Sequence, residues 1–343
     1  MKNIQQRDQI LTGFEQEGFA IDSEGKALRL PSTTNLLERI RYEIGLVCGY
    51  QFSYNRPQQI NDMVSVEEHW FHIENKNPKP HPGYSSALDS LNFQKLLIQD
   101  ALDKFSATYE LTPFLSDTSY QSTPADWTPR GHELHTHYQW SPENLHSSII
   151  SGLQINRGFP IDILNQGLQT EYAMHLYNAY HDQFSEICTN YNSDHKRVNH
   201  IASLLMQADS SIFPAEDIEQ SYMPGPFEST DELFNYMITK SRYNPQDGFD
   251  PKSLHSLSIK LKGEPKQDIQ EFSSTHYEVR ILDTFDTFSP EGREKVEDFM
   301  HTIVIPIEEA AQKSSLTSSF AVSLPDSEEL QTSDQKPSVP AAE

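Results

Sequence analysis

Cysteine is almost missing from this chain of 343 residues: Cys48 and Cys188 are the only two, and they lie far apart. That argues against a disulfide-framed scaffold and fits a reducing compartment. Positive charge is also scarce, with 26 Lys and Arg against 50 Asp and Glu, for a net charge of −24. Non-specific binding to nucleic acid needs lysine and arginine to displace counterions, so no nucleic-acid partner is expected. An anionic ligand such as a nucleotide would need metal ions or local basic groups to hold it. No apolar run approaches the roughly 18 residues that span a bilayer, and the start MKNIQQRDQILTG lacks the apolar core of a secretory signal. The expectation is a cytoplasmic protein with no membrane partner. Neither G-x-G-x-x-G nor a P-loop occurs, so neither common nucleotide-binding fold is signalled.

What the chain does have is ample Phe and Tyr and enough length to bury a core. Residues 313–343 are rich in Ser, Pro and acidic side chains, which predicts a disordered tail after one folded domain over 1–312. Residues 74–83, ENKNPKPHPG, carry the Pro and Gly punctuation of a loop. Strands are expected over 11–21, 39–52, 131–140 and 274–285. Helices are expected over 92–105, 141–155, 166–190, 229–241 and from Ser289 onward, where Pro290 follows a good N-cap. Strands scattered among helices without a βαβ rhythm favour an α+β fold.

Each expected strand carries charged or metal-capable side chains two residues apart, a spacing that puts both on one face. These are Glu15 and Glu17, Arg41 and Glu43, His135 and His137, and Glu278 and Arg280. A polar face of this kind is either solvated or an active site. Singly, E-x-E fits a solvated strand as well as a cation site, and E-V-R fits a cross-strand ion pair.

In order, the four segments resemble the glutamate–cysteine ligase superfamily, and particularly its shorter carboxylate–amine ligase branch. GFEQEGFAIDSEG resembles that family's opening strand, RIRYEIGLVCG its second, and HELHTHYQWSPENL its H-x-H strand and following helix. MPGPFESTDELF resembles its proline-rich turn, and STHYEVRILDTFDTFSPEGREKVEDFM its E-V-R-x-x-D segment. The resemblance implies a glutamine-synthetase-like fold: a curved, mainly antiparallel sheet forming an open, funnel-like active site, with helices packed outside. It implies ATP- and Mg²⁺-dependent (or Mn²⁺-dependent) joining of a carboxylate, such as the γ-carboxylate of glutamate, to an amine through an acyl phosphate. On this basis Glu15, Glu17, Glu43, His135 and Glu278 are the expected metal ligands. Arg280 and Arg41 are the expected catalytic cations, and His137, Arg280, Lys260 and Arg242 the expected nucleotide contacts. Partners would be small amino acids or amines, with a homodimer as one possible assembly.

Two other classes compete. His135, His137 and Glu143 could form a cupin-like mononuclear metal site, although Glu143 also suits the first turn of a helix. A ligase fold without turnover could serve as a binding protein. His181, Cys188 and His195 suggest zinc, but a single cysteine makes a polar helix face the better reading.

Overall fold

The computed structural model describes residues 10–30, 35–51, 55–67, 69–113, 115, 124–129, 131–132, 136, 151–192, 223, 225–240, 257–259 and 276–322. The strands are β1 (Leu11–Asp22), β2 (Val64–Val66), β3 (His72–Lys76), β4 (His81–Pro82), β5 (Ala107–Glu110), β6 (Gly152–Gly158), β7 (Leu257–Ile259) and β8 (His276–Asp283). The helices are α1 (Leu36–Val47), α2 (Gln58–Met63), α3 (Tyr84–Asp103), α4 (Ile161–Gln166), α5 (Gln169–Tyr191), α6 (Thr230–Lys240), α7 (Pro290–Phe299) and α8 (Ile305–Val322), with a π turn at Met300–Val304 between the last two. The chain is therefore α+β, as its sequence suggests. No helix among the described residues is long and apolar enough to cross a membrane.

The strands form one eight-stranded sheet in the order β2-β3-β1-β6-β8-β7, with β4 and β5 also pairing with β1. Every described pairing is antiparallel. Long and central, β1 alternates strictly along its first half. Phe14 points into a core built with Leu153 and Ile155 of β6, Tyr277 and Val279 of β8, and side chains of α3, α5, α7 and α8. Burying each such side chain contributes about 1.5–3 kcal/mol. The helices cover that face, leaving the alternate residues of β1, β6 and β8 on the other.

Behind the sheet, Arg157 is fully buried and forks onto Glu308 of α8, with Nε–Oε1 at 2.9 Å. The Tyr277 hydroxyl donates to the same carboxylate at 2.7 Å, which ties the last helix to β6 and β8. Ser289 caps α7 by accepting from the Gly292 N–H at 3.0 Å, as the Ser-Pro start predicts.

Four expectations fail. Residues 36–47 are helix, not strand, because Leu36, Ile40 and Ile44 fall four apart and bury one stripe, while the Asn35 side chain caps the start. Residues 72–76 are strand β3, so the loop begins only where the prolines do. The stretch expected to finish a helix through Leu153 is strand β6, in which Leu153 and Ile155 alternate with Gln154 and Asn156. Gly131, His132 and Thr136 are helical, where a strand was expected over 131–140. Residues 313–322, expected in the tail, belong to α8, which continues to Val322 with Ser315 buried and donating to the Ala311 carbonyl at 2.8 Å; residues 323–343 lie outside the described residues.

Candidate active site

The face turned away from those helices carries the polar residues. Glu15 and Glu17 come from β1, Glu74 and Lys76 from β3, Gln154 and Asn156 from β6, and Glu278 and Arg280 from β8. Register aligns them: Glu17 stands opposite Glu74, Glu15 opposite both Lys76 and Gln154, and Asn156 opposite Glu278. Beyond β2, Glu67 joins them, since its charge acts on Lys76. Glu17, Glu67, Glu74 and Glu278 are all buried, which is rare for carboxylates without compensation.

Compensation is visible at Glu17, Glu74 and Glu278, and at Glu15 beside them. Glu17 accepts from the Gly152 N–H at 2.8 Å and from Gln154 Nε2 at 2.7 Å. Asn156 Nδ2 donates to Glu15 at 2.9 Å. Lys76 Nζ lies 2.7 Å from Glu74, and the Ser65 hydroxyl donates to the same oxygen. Burial pushes the Glu74 carboxyl up, but the attraction of Lys76 and the hydrogen bonds of Lys76, Ser65 and Glu15 outweigh it and bring it to about 2.

Arg280 pairs with Glu278: Nη2 donates to Oε2 at 3.1 Å, and Nε lies 2.9 Å from Oε1. A register shift between β6 and β8, at Leu153 and Ile155, lies beside this pair. Burial works against the Arg280 charge, yet Glu278, Glu15 and Glu17 together raise its pKa. The guanidinium therefore stays cationic in the middle of a carboxylate face. Such a cation can stabilise a transferring phosphoryl group.

Of the residues singled out in the sequence, the structure brings Glu15, Glu17, Glu278 and Arg280 together. Glu43 does not join them. It sits on α1 with an ion pair to Arg39, one turn earlier, at 4.0 Å. Arg41, on the same helix, donates to the carbonyls of Val64 and Asn61 and pairs with Glu38, so it braces α1 against the end of α2 and β2. His135, His137, Glu143, His195, Arg242 and Lys260 lie outside the described residues. Cys188 is buried in the core, where burial pushes its thiol up to about 12, so it offers no thiolate to zinc.

Sequence reasoning missed Glu67, Glu74, Lys76, Gln154 and Asn156. Except for Glu67, their signals were short alternations, H-x-E-x-K over 72–76 and L-Q-I-N over 153–156, each set beside a stronger loop or helix pattern.

No protein-family model and no curated protein matches the sequence. Solved structures do match. Glutamate–cysteine ligase from Francisella tularensis, determined in complex with AMP, superposes with a TM-score of 0.55 at 14% identity, covering 88% of this chain and 67% of that one. The chain has a glutamate–cysteine ligase-like fold. A bifunctional glutathione synthetase from Pasteurella multocida matches with a TM-score of 0.52 at 12% identity, over 90% of this chain. The chain spans 40% of that longer enzyme.

A divalent cation fits the chemistry of the polar face, whose donors are carboxylate and amide oxygens of the kind hard cations take. Among the described residues no three His, Cys, Asp or Glu side chains are already gathered around a metal-sized point. Lys76 and Arg280 occupy the carboxylates instead, as internal counterions.

Proposed function

We propose that the chain is an ATP- and Mg²⁺-dependent ligase that joins a carboxylate, of the glutamate γ-carboxylate type, to an amine. The observation that carries this reading is the Glu278–Arg280 pair, set among Glu15, Glu17 and Glu74 on the polar face of a ligase-like sheet. The substrate carboxylate attacks the γ-phosphorus and ADP departs with the P–O electron pair. The amine nitrogen then forms the C–N bond, the acyl C–O bond breaks, and phosphate leaves with the nitrogen's proton. Negative charge builds on phosphate oxygens in both steps, and in this reading Arg280 neutralises it. Glu15, Glu17, Glu74 and Glu278 would hold the divalent cation, whose part is to offset the phosphate charge.

Mg²⁺-dependent ADP release should be screened with acidic amino acids and amines, singly and in pairs, with Glu278→Gln alongside. Release that needs both substrates and is lost in the variant is the expected result. ATP binding without turnover would instead support a ligase fold used for binding, a reading favoured by the internal counterions Lys76 and Arg280. No ATP affinity, with tight iron or manganese binding lost on His135→Ala, would overturn the proposal in favour of the H-x-H metal site.

A further inference from the structure

A pocket of about 410 Å³ opens beside Glu15 on the carboxylate face. Leu11, Gly13 and Glu15 of β1 line it with Asn156 and Gly158 of β6, and Pro80 closes one side. Alternation along the two strands puts these β1 and β6 residues on the face that carries Glu17 and Gln154. Gly13 and Gly158 leave two strand positions of its wall without side chains.

Neither glycine is required by the fold. A Cβ at Gly13 would come no closer than 3.8 Å to Asn156, and one at Gly158 no closer than 3.5 Å to the Leu11 carbonyl, both ordinary contacts. Neither residue needs a left-handed backbone. Gly18, on the same strand, is different: a Cβ there would lie 2.6 Å from the Tyr109 ring. Glycine inside a strand weakens it, and where packing does not demand it, it marks the close approach of another group.

Charge narrows what that group is. The Glu15 carboxylate stands at the pocket beside Asn156, and His276, paired with Gly158, also lines it. Arg157 also borders the pocket, but its guanidinium is held on the opposite face by Glu308 and Thr12. Lys76, opposite Glu15, is bonded to Glu74 at 2.7 Å. A phosphate or carboxylate entering here meets a carboxylate, whereas an ammonium meets a counterion with apolar surface behind it.

We infer that this pocket takes the amine substrate, and that the amine carries an apolar body of ring or branched-chain size behind its ammonium. The inference rests on the ligase reading, which supplies the reason for an amine to sit beside the phosphate-handling face. Gly13 and Gly158 are then the residues that set amine size.

Calorimetric binding of 2-phenylethylamine and of methylamine to the full chain tests it, with paired ADP-release assays using glutamate. The larger amine should bind at least tenfold more tightly. Gly13→Val should cut that preference at least tenfold and Gly13→Ala part of the way. Gly158→Val serves as a second filler if Gly13→Val does not fold by circular dichroism. Equal binding of the two amines, or a preference untouched by either valine, overturns the inference. So does a valine variant that weakens ATP while leaving the amine preference intact, which would assign the pocket to the nucleotide base. Amine preference lost in the variants, with no ADP release from any substrate pair, upholds the pocket and removes the ligase reading alone.

Discussion

Glu17 and Glu74 stand directly opposite each other across the β1–β3 ladder, both buried. Like charges in that relationship repel. Here each has its own set of partners: the Gly152 N–H and Gln154 for Glu17, Lys76 and Ser65 for Glu74. The fold thus holds two carboxylates where two apolar residues would be easier to place. Glu74→Gln keeps the shape and removes the charge, so it should lower Mg²⁺-dependent ADP release by about 100-fold or more, the scale of losing one electrostatic contact in a catalytic site. Glu43→Gln, on α1, should change it less than about threefold, since Glu43 lies away from the polar face and its 4.0 Å pair with Arg39 is a weak i,i+4 contact. The reverse ranking in a steady-state assay would return the site to the helix.

The Glu74–Lys76 pair also predicts a pH dependence. The folded carboxyl lies at about 2, below the unfolded value, so its contribution to stability is complete above that unfolded value. It is lost as pH falls through about 2. The difference corresponds to on the order of 3 kcal/mol. Lys76→Met removes the leading attraction and leaves burial to dominate, which raises the carboxyl instead. Urea unfolding of the two proteins should differ most near pH 7, and the gap should narrow steadily between pH 5 and 2. A gap that is constant with pH would mean that Lys76 acts only through packing.

The strands that the sequence shows well are those whose alternation is long and sharply bounded. Residues 276–283 and the first half of β1 alternate over many positions, so Glu15, Glu17, Glu278 and Arg280 could be placed on one face in advance. The partner strand β3 has five residues and ends against a proline-rich run, so Glu74 was hidden in an apparent loop. In β6, Leu153 lies four residues after Ile149, a spacing that also fits a helix, and only pairing with β1 and β8 decides the matter. The helix α1 misled in the other direction: isoleucines at 40 and 44 have high β-propensity, yet their spacing of four is what burial uses.

At Gly18, β1 lies close against Tyr109 of β5, whose hydroxyl donates to the Gln16 carbonyl at 3.0 Å. A Cβ at Gly18 would meet the Tyr109 ring at 2.6 Å, the Glu110 carbonyl at 2.8 Å and Leu111 at 2.9 Å. Two of these belong to the backbone or to a locked ring and cannot swing aside. Gly18→Ala should therefore cost about 1–3 kcal/mol through overpacking, while Gly13→Ala, with open space, should cost less. Thermal unfolding of the two alanine variants compares them directly. Equal losses would show that strand entropy, not the close approach, governs both positions.

Glu278 has no side-chain exposure and Arg280 retains 17%, so their bond is a mostly buried ion pair. Breaking such a pair from one side leaves a charge without its partner and costs about 3–5 kcal/mol, whereas removing both can be nearly neutral. Arg280→Met should thus destabilise strongly, Glu278→Gln by less because the amide still accepts a hydrogen bond, and the double variant should recover part of the loss. Activity should behave differently. Every one of the three variants should lose ADP release, since the phosphoryl charge needs the guanidinium and the cation needs the carboxylate. A double-mutant cycle on unfolding free energy, run beside the ADP assay, separates the two roles. Stability restored together with activity would make the pair structural, and stability restored without activity places it at the chemistry.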